Sequence, residues 1–254
     1  MGQDPGRHRS LRERAQDYWD ARLSSVPPFS AEEYFALLLD RALRALEAGD
    51  GGISAVLSAR CHGFEIASFG RNTIRSQRNP LGHAETNAIR QLSELISLSP
   101  HAREQSISTW TSPLDVLRSD ANIFTRKIDD PRCQSILYTT LEPCPMCTVA
   151  TITTGVSSVL VAASEEWGGA LLSGRLGSLP TAWPELAESQ GLRVCLASSD
   201  PSDTASFIPP ELTSMLSEAL LANRKRLDDQ VRQGGILSAL TIGEALAELV
   251  HRRD

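Results

Sequence analysis

A chain of 254 residues, 41% hydrophobic and 22% charged, is long enough for one large domain or a domain with appendages. No stretch approaches the ~20 apolar residues that cross a bilayer, and the polar N-terminus has no apolar signal-peptide core, so the expected location is cytoplasmic. With 25 basic against 31 acidic residues the net charge is −6, which argues against gripping a long nucleic acid and for a small substrate.

Residues 1–28, rich in charge and closing on Pro27-Pro28, read as a solvated polar tail. Ser30 has the position of an N-cap, with Glu33 at capping-box spacing, and Tyr34 to Leu46 carry apolar residues at helical intervals. Ile53 to Ala59 and Phe64 to Phe69 read as strands of a hairpin turning at His62-Gly63. A helix follows from about His83 to Leu98. Residues 99–134 show no strong period beyond a short helix at Leu114 to Arg118 and read as a surface insertion.

Strands at Ser135 to Thr139 and Val156 to Ala163 enclose a helix at Pro145 to Thr154. A glycine-bearing segment, Gly168 to Gly177, leads to a short helix at Trp183 to Ser189 and a fifth strand at Arg193 to Ala197. Helices at Pro210 to Val231 and Leu237 to Arg252 end the chain. The domain reading is a tail at 1–28, a catalytic domain at 29–200 and a helical extension at 201–254. Alternating strands and helices imply an α/β sheet, whose ligand sites form where strands end and helices begin.

Two motifs fall at such junctions: His83-Ala84-Glu85 and Pro143-Cys144-Pro145-Met146-Cys147. Thiols three residues apart on a first helical turn can reach one tetrahedral ion, and the helix N-terminus favours their thiolate forms. With His83 they give three ligands and leave a position for water, as in catalytic zinc sites. Glu85 can then stand beside that water without being a ligand. Two thiolates cancel the charge of the ion, so bound water keeps its proton more firmly than at an all-histidine site and a carboxylate base becomes useful.

The sequences "LGHAETNAI" and "LYTTLEPCPMC" carry the H-x-E…P-C-x-x-C pattern of zinc deaminases. The chain resembles the cytidine deaminase-like superfamily over residues 30–200, most closely its histidine-ligand branch of guanine, tRNA adenosine and deoxycytidylate deaminases. The resemblance implies a three-layer α/β/α sandwich on a five-stranded mixed sheet, one zinc ion per chain held by His83, Cys144 and Cys147, catalysis by Glu85, and a homodimer. It also implies that Asn72, eleven residues before His83, contacts the substrate, with Ala84, Glu142 and Pro143 beside it. In guanine deaminases an acidic residue follows the fourth strand, and Glu165 or Glu166 could take that part.

The implied reaction replaces an exocyclic amine of a nucleobase or nucleoside with oxygen and releases ammonia. The text "TTLEPCPMC" leans toward purines, guanine first; a pyrimidine nucleoside or nucleotide and a specialised biosynthetic heterocycle are the alternatives. Arg71, Arg75 and Arg78 read either as a substrate-anion clamp or as a solvated loop. Trp167 and Trp183 read as base-stacking groups or packed rim.

Two bland readings compete. The Cys144/Cys147 pair alone would suit a thioredoxin-like thiol-disulfide oxidoreductase. A structural zinc site would need a fourth ligand, and Cys61, His62, Cys133 and Cys195 show no ligand spacing. The odd cysteine count argues against a disulfide framework and for a reducing compartment, with Cys61, Cys133 and Cys195 as small buried hydrophobes.

Overall fold

The computed structural model describes residues 9–26, 30–109, 112–130, 132–165, 168–172, 175–196 and 208–232. Its first helix, α1 (Leu11–Arg22), lies inside the segment read as a solvated tail. Ser10 and Glu13 form a reciprocal capping box at its start. Ala15, Tyr18 and Trp19, at helical spacing on an otherwise charged sequence, are buried against the second helix, α2 (Ala31–Glu47). The Trp19 indole donates to the Ala36 carbonyl. The tail reading is therefore corrected for these residues: a narrow apolar stripe suffices when a partner face is waiting.

Ser30 caps α2 as its spacing predicts, accepting from the Glu33 amide. The Glu33 carboxylate is directed elsewhere, to Arg126. The hairpin of β1 (Ser54–Cys61) and β2 (Phe64–Arg71) turns at His62 and Gly63, both at positive φ. This is the backbone form that matches the twist of a two-residue hairpin.

Helix α3 (Ala84–Ser97) follows. The segment 99–134 is not a surface appendage. It holds α4 (Pro100–Ser106), β3 (Ser108–Thr109), α5 (Pro113–Arg118) and β4 (Ile123–Lys127), and β4 pairs antiparallel with β2. Then come β5 (Gln134–Thr139), α6 (Pro145–Thr153), β6 (Ser158–Val161), a 3₁₀ turn at Arg175–Ser178, α7 (Ala182–Ser189), β7 (Arg193–Leu196) and α8 (Pro210–Arg232). The helix expected at 237–252 lies outside the described residues.

The sheet thus has seven strands, in the order β3-β4-β2-β1-β5-β6-β7, where five were expected. The two extra ones, β3 and β4, come from the insertion. β1 runs antiparallel to β2 and β5, whereas β5, β6 and β7 run parallel.

Strand alternation divides the core. Val56, Phe69, Phe124 and Tyr138 face α1, α2 and α8, while Ala55, Leu57, Leu137, Val159 and Val161 face α3. This is a three-layer α/β/α sandwich. Helix α8, placed in the extension by sequence, packs on α2 as part of the first layer.

The sheet end away from the β1 N-terminus is locked by polar groups. Arg126 of β4 makes a bidentate pair with Glu33 and a 2.6 Å bond to Glu65; Arg60, Ser58 and Tyr34 also bond to Glu65. Burial would raise the Glu65 pKa, but Arg126 and Arg60 overcome it and hold the carboxyl below its usual value. Just beyond, Cys61 and Cys133 form a disulfide across 72 residues of sequence. Cys133 and Cys195 are exposed. The expectation of three buried, unpaired cysteines is corrected: the sheet brings the end of β1 beside the start of β5, a proximity that spacing alone does not reveal.

Candidate metal and proton-transfer site

The opposite end of the sheet, at the start of β1 and the end of β5, carries both motifs. His83 is the N-cap residue of α3 and Cys144 that of α6, and neither side chain caps its helix. Each is left to point into the space between the two helices, which pack together. Cys147 lies one turn into α6, buried, at the third helical position. Pro145 occupies the first, where no intrahelical N–H is lost. Thr148 and Thr151 fasten this turn, donating to the Pro143 and Cys147 carbonyls.

One ligand atom from each of His83, Cys144 and Cys147 lies within 4.8 Å of the other two. The Cys144 sulfur is 3.7 Å from His83 Nδ1. An imidazole and two thiols in this proximity fit zinc, and among the described residues no fourth protein ligand joins the group.

Hydrogen bonding from Cys147 lowers the Cys144 pKa to about 4 against the effect of burial, and His83 adds to the shift. The same bond, with burial and the nearby Glu85, pushes the Cys147 thiol up. His83 is raised, first by its bond to Cys144.

Glu85, in the first turn of α3, is only 4% exposed and stands outside the ligand group. Cys147 Sγ donates to its Oε2 at 3.5 Å. Burial raises its pKa. Gly70 of β2 sets how closely α3 can approach: a Cβ there would lie 2.0 Å from the Ala84 carbonyl oxygen.

A cavity of about 120 Å³ opens onto this centre, lined by Asn72, His83, Ala84, Glu85, Glu142 and Glu165 among others. Asn72 is buried. Its Oδ1 accepts from the Ile74 amide, and its Nδ2 has no protein partner among the described residues. An amide donor therefore faces the cavity.

Asn87, which sequence reading missed, holds this strand end by donating to the Arg71 carbonyl and to Thr73. It lies one turn beyond His83, inside the quoted "HAETNAI", so its place on the α3 face was legible although its partners were not.

Glu142 lines the cavity, but its carboxylate is taken by the amides of Glu165, Leu171 and Leu172. Gly169 is required beside it, since a Cβ would meet that carboxylate at 2.2 Å. Glu142 thus builds the loop that presents Glu165. Pro143 contributes its carbonyl to Ala170 and Thr148. Glu166 and Trp167 lie outside the described residues, and Trp183, half-buried on α7, does not line the cavity.

The three arginines are not brought together at the cavity mouth. Arg71 points to the α2 side and donates to the Arg44 carbonyl. Arg75 donates to the Gly49 carbonyl, and Arg78 is exposed in a turn at φ 49°. Of the two readings of Arg71, Arg75 and Arg78, this arrangement disfavours the clamp, because the three leave β2 and its turn in different directions.

The family described as the cytidine and deoxycytidylate deaminase zinc-binding region matches residues 30–163. No curated protein matches the chain. Solved structures it is similar to include guanine deaminase from Nitrosomonas europaea, at 20% identity over 78% of this chain and 94% of that one, with a TM-score of 0.42. Another is a tRNA:A34 deaminase, at 27% identity over 57% and 86%, with a TM-score of 0.38. A third is the dCMP deaminase of the cyanophage S-TIM5, at 16% identity over 67% and 99%, with a TM-score of 0.30.

Proposed function

From the premise that this chain belongs to the cytidine and deoxycytidylate deaminase family, and is a zinc-dependent hydrolytic deaminase, we propose that it deaminates a free purine base, guanine first. His83, Cys144 and Cys147 hold the ion, and residues 29–200 form the catalytic unit. The observation that carries the assignment of roles is the convergence of those three side chains with a buried carboxylate, Glu85, beside but outside them.

When bound, zinc supplies Lewis acidity that makes water a nucleophile at neutral pH. Glu85 takes one proton from the attacking water and gives it to the ring nitrogen beside the amine-bearing carbon. It then carries the second proton, from the newly added hydroxyl, to the amine as its C–N bond breaks, so that one water is consumed and ammonia leaves. Burial favours the protonated carboxyl and so suits Glu85 to the donating half of this cycle. Asn72 Nδ2 donates to an acceptor on the base, fixing the ring against the centre. Glu165, at the cavity wall, would accept from ring N–H and amino groups, a pattern that guanine offers.

The cavity volume of about 120 Å³ supports a bare heterocycle, being well below the ~300–1,000 Å³ of sites for drug-sized ligands. The dispersal of Arg71, Arg75 and Arg78 leaves no cluster of them for a substrate phosphate and weighs against a nucleotide. The resemblance also implies a homodimer, which sedimentation velocity would measure.

The test is an ammonia-release screen of zinc-loaded protein over free bases, nucleosides, nucleotides and a structured RNA. Guanine should give the highest kcat/KM. Preference for a pyrimidine nucleotide, or a salt-sensitive RNA activity, would overturn the purine reading. Disulfide reduction that survives Glu85→Gln, with no ammonia from any substrate, would favour the oxidoreductase instead.

A further inference from the structure

On the other face of the sheet, Arg41, Arg44 and Arg71 converge on a second cavity of about 270 Å³, completed by Asp120 and Asn122. Strand alternation separates it from the deamination centre. Gly70 is pressed against α3, so its neighbour Arg71 faces α2, while Asn72 returns to the centre.

The donors around this cavity outnumber their acceptors. Arg41, 5% exposed, bonds to the Ser119 and Ala121 carbonyls and lies over the Phe69 ring. Arg71 donates once, to the Arg44 carbonyl. Among the described residues neither has a carboxylate partner. Asp40 is shared between Arg12 and Arg44, and Asp120 is a rim group with a side chain 99% exposed.

Burial lowers the Arg41 pKa to about 10; Asp40 works against this, and Arg44 and Arg71 add to it. Concentrated positive charge in a chain of net charge −6 is costly unless an anion completes it. Guanidinium forks that still hold unused N–H groups match the oxygens of a phosphate.

We propose that the Arg41/Arg44/Arg71 cavity binds a phosphate group, either inorganic phosphate or the phosphate of a nucleoside monophosphate, at a site separate from the deamination centre. The proposal does not depend on which base is deaminated. Its test is calorimetric titration of the full zinc-loaded chain at constant ionic strength, first with inorganic phosphate and then with GMP.

Saturable binding is expected, weakened about tenfold or more by Arg71→Met and unchanged by Asn72→Ala. Arg44→Met is the second variant, and both are checked for native circular dichroism. Binding of inorganic phosphate alone or of both ligands identifies the phosphate as sufficient; binding of GMP alone identifies a nucleotide source. Absence of saturable binding to either ligand would overturn the proposal. So would affinity unchanged in both arginine variants, or affinity lost in Asn72→Ala and kept in Arg71→Met.

Discussion

The two ends of the sheet contrast in how each holds a buried glutamate. At one end Glu65 is ringed by Arg126, Arg60, Ser58 and Tyr34, and its carboxyl is held ionised. At the other, Glu85 has a thiol as its side-chain hydrogen-bonding neighbour, and burial pushes its pKa up. Closed polar networks specify structure. A carboxyl with spare capacity, facing a cavity beside three metal-ligand side chains, can move protons. The same residue type serves stability or chemistry according to whether its partners are complete.

Changes at the locked end should cost stability and leave turnover intact. Arg126→Met strands Glu33 and Glu65 without their shared cation and should destabilise by about 3–5 kcal/mol in urea unfolding. The effect should depend on pH. Glu65 is depressed in the folded state, so its contribution is full above the unfolded carboxylate value near ~4.3 and fades as pH falls through the lower folded value. Wild type should lose more stability than Arg126→Met between neutral and acid pH.

Cys61→Ser opens a loop of 72 residues and should cost about 2–4 kcal/mol. The specific activity of the folded fraction should not change. An equal loss of kcat in either variant would break the contrast between the two ends.

Gly70→Ala sharpens it from the other side. The added methyl must displace the first turn of α3, which carries Glu85 and follows His83. The cost in stability should be about 1–3 kcal/mol. Misplacing the proton-transfer group should lower kcat by about tenfold to a hundredfold, out of proportion to that cost.

The open end was legible in sequence because its chemistry is written in short, contiguous motifs at strand-helix junctions. His83, Glu85, Cys144 and Cys147 needed only spacing and residue type to be grouped, and Asn72 followed from its offset. The locked end was not legible. Arg126 lies in the segment 99–134, which sequence reads as a surface insertion without strong period, and its burial depends on Glu33 and Glu65, which lie far off in the chain. For the same reason β4 went unrecognised as a strand of the sheet, and the Cys61–Cys133 pair was read as isolated cysteines.

Helix α1 was hidden by its charge, because five apolar positions in twelve look solvated until Trp19 meets α2. Glu142 was placed beside the substrate by resemblance, and spacing could not show what its carboxylate bonds. Its three amide partners lie in a loop with no pattern of its own.

The most direct measurement compares wild type with Glu85→Gln, each carrying one zinc per chain by elemental analysis, for ammonia release from the best substrate of the screen. A carboxylate that transfers protons predicts a fall in kcat of about a hundredfold to ten-thousandfold with zinc retained. Turnover within a fewfold of wild type, at full zinc occupancy, would contradict the role given to Glu85.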